Sequence, residues 1–252
     1  MEREKYILDQ LNEKGSVKVS DLSEQLQISE VTVRSDLRAM EKKGLLKRMH
    51  GGAVKINEQL SLFIAPGNVL KKVDEKKRIA AKAYEYIENG DVIILDDSSV
   101  NYYLAEEICK GEKKNLIIIT NSLAAAVILS SRDDFTLSMV GGQIGGNLPS
   151  AMGQVTVDTI SNYKANKAFI SAHGVNFEVG ITSVGTPQMH VKKAILNSAK
   201  EIYLMIDSSK FSGGYLMVVC PLERLERIIT DKGISETDKE AAERKKIKMD
   251  IV

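Results

Sequence analysis

Arg34, Ser35 and Arg38 are the first residues whose types and spacing could do chemistry, within SEVTVRSDLRAMEKKGLLKRMHGGAV, Ser29 to Val54. In a helix, Val33, Leu37 and Met40 share one apolar face at i, i+4 and i+7. Val31, Arg34, Ser35 and Arg38 then turn together to the other side. Guanidinium and hydroxyl groups on such a face match the donor and acceptor edges of a DNA major groove, with Arg34, Ser35 and Thr32 the candidate base readers. Ser29 is placed to cap the helix, and Asp36 is expected to partner a nearby arginine. Lys47, Arg48 and His50 belong to the basic run that follows, which suits phosphate contact. From Glu30 to Lys55 seven basic residues meet three acidic ones, a local charge of +4 in a chain whose total is +1. An arginine-bearing amphipathic helix is also often only a solvated face, so its neighbours must decide.

A second constellation lies at the ends of apolar runs. Asp96, Ser98 and Ser99 follow the first, Thr120, Asn121 and Ser122 the second, and Gly141 and Gly142 the third, with His173 and Lys210 after later ones. Hydroxyls and N–H groups at helix starts bind anions, a carboxylate accepts from sugar hydroxyls, and a lysine adds a cation. Each residue has a plain reading too, since Asp and Ser are ordinary helix caps and Gly-Gly is often only a turn. Convergence of three strand ends on one edge favours a site.

The elements that position both groups follow from periodicity. Glu4–Lys14 reads as a helix, Val17–Val19 as a short strand, Asp21–Gln27 as a second helix capped by Ser20, and a third helix begins after Ser29. LLKRMH and AVKI then pair around Gly51-Gly52 as a wing. Two short helices joined tightly and followed by a basic hairpin have the size of a winged helix-turn-helix, whose second helix enters the major groove. Farther on, DVIIL, NLIIIT, FTLSMV, KAFISA, EIYLMI and LMVVC are apolar runs of strand length, as for strands buried on both faces of a parallel sheet. Helical patterns over 76–89, 100–110, 123–131, 155–163 and 188–199 intervene, giving a doubly wound α/β domain. The expected division is 1–56 for the winged helix-turn-helix, 57–75 for a linker around Pro66-Gly67, and 76–252 for the α/β domain.

Composition narrows the class. With 43% hydrophobic and 27% charged residues, the 252-residue chain fits a globular protein with room for two domains. Cys109 and Cys220 are far apart and only three histidines accompany them, so no disulfide framework, metal site or cofactor is expected. MEREKYILDQL lacks the apolar core of a secretion signal and no run reaches membrane-spanning length, so the cytoplasm is the expected compartment.

The stretch SDLSEQLQISEVTVRSDLRAMEKKGLLKRMHGGA, with its basic turn and H-G-G-A, resembles the N-terminal signature of DeoR-type bacterial transcriptional regulators. ILDDSS, ITNS, VGG, KAFISAHGV, GITS and DSSKF fall in the order of that family's effector domain, which resembles ribose-phosphate isomerases and CoA-transferases in fold. The resemblance implies a repressor of sugar or polyol catabolism that binds double-stranded operator DNA, senses a phosphorylated sugar and works as a homo-oligomer, dimer or tetramer. Departures from the pattern are Ser98-Ser99-Val100 where Gly-Thr-Thr is common, Asn166 where an aspartate is usual, and His173 at a commonly acidic position. His173 is open to two readings, ligand contact or a polar strand end. A sugar-phosphate isomerase with an accessory DNA-binding domain is the alternative, with Asp96, Asp207 and His173 as nominal bases, but SAHGV replaces the acidic segment such chemistry needs.

Overall fold

A computed structural model describes residues 2–14, 16–42, 45–49, 51–55, 71–145, 148–211, 213 and 217–252, without the side chains of 2, 12–14, 42, 47, 54 and 55. The chain divides into two compact units, Met1–Leu62 and Phe63–Val252.

The N-terminal unit runs α1 (Glu2–Lys14), β1 (Ser16–Lys18), α2 (Val19–Leu26), α3 (Glu30–Lys42), β2 (Leu46–Met49) and β3 (Gly52–Lys55). Ile7, Leu11, Val19, Leu22, Val33, Leu37, Met40, Leu46 and Ala53 form its core. The strands pair antiparallel in the order β1-β3-β2. The turn needs glycine twice: Gly51 sits at φ 80, and a Cβ on Gly52 would lie 2.1 Å from the Val17 carbonyl oxygen of the neighbouring strand. Two expectations need correction. Val19 is the first residue of α2 rather than the end of a strand, and Ser20 does not cap that helix; its hydroxyl donates to Asp21 at 2.8 Å. Val19 is buried, which draws the helix start inward.

The second unit is built on a seven-stranded parallel sheet. In chain order its described elements are α4 (Val73–Glu85), β4 (Val92–Leu95), α5 (Ser99–Lys110), β5 (Ile117–Thr120), α6 (Leu123–Leu129), β6 (Thr136–Met139), β7 (Gln143–Gly145), β8 (Ser150–Met152), α7 (Gln154–Ser161), β9 (Ala165–Ile170), β10 (Gly174–Asn176), β11 (Gly180–Ser183), α8 (Thr186–Ser198), β12 (Ala199–Met205), β13 (Met217–Cys220), β14 (Arg227–Thr230), α9 (Glu236–Arg244) and β15 (Met249–Ile251). The sheet order is β15-β14-β12-β9-β4-β5-β6. The chain thus starts in the middle at β4, winds out through β5 and β6, returns beside β4 as β9, and winds out the other way. In an open sheet of this kind ligands bind outside the carboxyl ends of the strands where the order reverses, here between β4 and β9. Ile94, Ile119, Ala168, Ile170, Ile202, Leu204 and Ile228 are buried in the core around these strands.

LMVVC is a strand but not one of this sheet. As β13 it pairs antiparallel with β11 in a small sheet ordered β10-β11-β13. An apolar run of that length carries no signal for which sheet it joins. Of the expected linker, 57–70 lies outside the described residues, and α4 starts at Val73, three residues before the expected Lys76.

Candidate DNA interface and effector cavity

On α3, Val31, Arg34, Ser35 and Arg38 are exposed while Val33, Leu37 and Met40 are buried. Ser29 accepts from the Thr32 N–H at 3.2 Å and its hydroxyl lies 2.9 Å from that of Thr32, so the two oxygens close the helix start. Arg34 reaches back to Glu30 at 2.7 Å, an exposed pair that costs little to break when another partner arrives. Asp36 faces Arg3 of α1 at 3.3 Å, the structural pairing expected of it. Glu41 ties the wing to the helix: one oxygen accepts the Arg48 N–H at 2.8 Å and the other lies 3.9 Å from its guanidinium. Lys47 stands in the register of β2, its side chain outside the described residues, as is His50 entirely.

In the second unit a cavity of about 540 Å³ opens at the carboxyl ends of β4 and β9. Five lysines line it, Lys71, Lys72, Lys76, Lys192 and Lys210, together with Ser98, Ser99, Ser171, His173, Asp97 and Asp207. Ser98 and Ser99 open α5. Ser98 accepts from the Asn101 N–H at 3.3 Å as N-cap. The first N–H groups of a helix have no partner within it and carry partial positive charge.

Beneath the cavity lies Asp96, fully buried. One oxygen accepts from the Ser98 N–H at 2.9 Å and the Asn101 amide at 2.8 Å. The other accepts from the Ser171 N–H at 2.9 Å and from the Lys192 ammonium of α8. Burial opposes charge on both members of this ion pair, but their attraction outweighs it, holding Asp96 below and Lys192 above their usual ranges. Burial depresses the pKa of His173, with Lys192 and Lys210 adding to the effect, so its imidazole is neutral at pH 7. Lys76 is pushed down to about 8, chiefly by burial, against the opposing field of Asp207.

Residues 3–59 match the DeoR-like helix-turn-helix domain and residues 71–232 the DeoR C-terminal sensor domain.

The chain belongs to the DeoR family.

It is 34% identical over 251 residues to the uncharacterized HTH-type transcriptional regulator YulB of Bacillus subtilis (strain 168), covering 100% of this chain and 96% of the relative. It is 34% identical over 233 residues to the lactose phosphotransferase system repressor of Streptococcus mutans serotype c, covering 91% of each. A partial likeness to ribose 5-phosphate isomerase from Plasmodium falciparum, at 15% identity and TM-score 0.40, covers 54% of this chain and 52% of that one. The DeoR family to which this chain belongs is one of transcriptional regulators rather than enzymes, and the isomerase alternative falls.

Within this DeoR-family sensor unit, Ser98, Ser99, His173 and Lys210 line the cavity, and the other expected residues do not. Asp96 is saturated with donors and cannot receive sugar hydroxyls; Asp97 faces the space instead, its Oδ2 accepting from Ser150 at 2.8 Å. Thr120 is buried, donating to the Leu95 carbonyl at 2.9 Å and accepting from Ser122 N–H at 3.0 Å. Asn121 is buried too, its amide donating to the Ala151 carbonyl at 3.0 Å. Ser122 accepts from the Ala125 N–H at 3.3 Å and caps α6. The Gly141 carbonyl accepts from Thr156 at 2.9 Å, and a Cβ on Gly142 would meet that hydroxyl at 2.1 Å, so close packing explains Gly142, whereas a Cβ on Gly141 would meet open space. Lys71, Lys72, Lys76 and Lys192 are not among the residues expected from the sequence. For Lys192 the signal was present: helical spacing sets it on the face of Ile195 and Leu196, where a lysine needs a partner.

Proposed function

We propose that this DeoR-family regulator is a repressor of a sugar or polyol catabolic operon, and that a phosphorylated sugar bound in the lysine-lined cavity modulates its grip on operator DNA. One observation carries the reading: five lysines and the N-terminus of α5 converge on one cavity at the switch point of the sheet. Ser98, Ser99 and Lys210 hold the phosphate, and the neutral His173 and Asp97 meet sugar hydroxyls. The name of the Streptococcus mutans relative, a lactose phosphotransferase system repressor, fits a sugar-linked role. Arg34, Ser35 and Arg38 read bases, with Thr32 and Ser29 at the helix start, while Lys47, Arg48 and His50 meet phosphates. The regulator acts as a homo-oligomer, since paired recognition helices match paired half-sites, and works in the cytoplasm, where bacterial operators lie. Among the described residues no helix is long and apolar enough to cross a membrane.

A thermal-shift screen of the full chain against sugar and polyol phosphates, with the free sugars as controls, tests the cavity assignment. One phosphate should raise the melting temperature where its parent sugar does not. Equal response to both would remove phosphate recognition from this account.

A further inference from the structure

Three of the cavity lysines come from one short segment. Lys71, Lys72 and Lys76 are among the first described residues of the sensor unit, which follows the DNA-binding unit in the chain. Lys72 is held in the left-handed backbone region at φ 53, unfavourable for a residue with a Cβ. It is fixed at both ends. Its carbonyl accepts the Lys76 N–H at 3.0 Å, and its ammonium lies 3.3 Å from Oδ1 of Asp207 just beyond β12. That same oxygen accepts the Ser209 N–H at 3.1 Å and the Ser209 hydroxyl. Lys72 and Lys76 therefore both lean on Asp207, one by direct contact and one through its field. Lys192 differs, since Asp96 is its own counter-ion. An anion entering the cavity meets three lysines carried by one segment, of which Lys72 is already paired with Asp207.

We propose that this junction segment reads the anion directly and transmits its presence: a bound phosphate draws Lys72 from Asp207 and gathers Lys71, Lys72 and Lys76 around itself, resetting the start of α4. This rests on the cavity reading given above. A ligand shifts a regulator only as far as it binds one state better than the other. Contacts made by the segment that leads from the DNA-binding unit supply that difference, whereas contacts from Ser98, Ser99 and Lys210 supply affinity to either state.

The test uses the full chain, operator DNA selected from random duplexes, and four probes: inorganic phosphate, ribose 5-phosphate, fructose 1-phosphate and glucose 6-phosphate. With a probe that raises the melting temperature, amide hydrogen exchange across residues 71–76 should slow severalfold, and operator affinity should change. In Lys72→Met the probe should still bind, weakened roughly fivefold or less as for a half-exposed ion pair. The ratio of operator affinities without and with saturating probe should meanwhile fall toward one. Lys164→Met, at an exposed lysine beside the amino end of β9, should keep the wild-type ratio. Unchanged exchange at 71–76, a bound probe without effect on operator affinity, or a full ratio in Lys72→Met would each overturn the proposal and leave the cavity reading standing. If no probe stabilises the wild type, the cavity reading fails and takes this one with it.

Discussion

Asp96 shows how one residue can matter without touching a ligand. It joins the end of β4 to the end of β9 and to α8, across the place where the sheet reverses. Removing one member of a buried ion pair leaves the other charged and unmatched, which costs about 3–5 kcal/mol. Lys192→Met is therefore expected to lower the unfolding free energy of the sensor unit by about that amount in urea titrations, a loss that a merely solvated lysine would not give. Lys76 makes a prediction in pH. Its folded pKa of about 8 lies below the ordinary 10.5, so the unfolded chain holds more protons between those values. Its burial is a fixed cost below pH 8 that is relieved as pH rises toward 10.5. Anion binding runs the other way, because it needs the charged amine. Affinity for a sugar phosphate should fall as pH rises past about 8, with proton uptake on binding in calorimetry at that pH; a flat profile from pH 7 to 9 would place Lys76 outside the contact.

At the scale of the element, the wing depends on a glycine. With no side chain, Gly52 lets β3 approach β1 at Val17 while its neighbour Gly51 makes the turn. Gly52→Ala should destabilise the N-terminal unit by about 1–3 kcal/mol, the cost of overpacking, and weaken operator binding. Faster hydrogen exchange in residues 16–18 and 52–55, with the sensor unit unaffected, would be the signature. Elements were the most legible level in the sequence. The recognition helix, the wing and the inner strands carry periodicities that burial itself imposes, so Val33, Leu37 and Met40 fall inward and Arg34 outward, as spacing requires. LMVVC went astray because an apolar run does not encode its partner.

The whole molecule explains why the candidate site was only half readable. A cavity is made of residues that topology brings together from far apart, and spacing reports only what is near. Ser98 and Ser99 were visible because they open a helix after a strand. Lys72 and Lys76 were not, since a lysine in KKVDEKKRIA reads as a solvated helix start, and neither was the pairing of Asp96 with Lys192, 96 residues later. The same separation has a consequence in time. Strand β4 finds β9 only after residues 96–164 have been made, with Ile93 opposite Lys167, and the pin at Asp96 closes only when Lys192 appears. Contacts within the first fifty-five residues close as soon as β3 has been made, as the pairing of Ser16 with Val54 shows, and need none of this. A chain still being translated thus carries a finished α3 before its sensor unit exists, and under the function proposed above the newborn regulator is for that interval deaf to its effector.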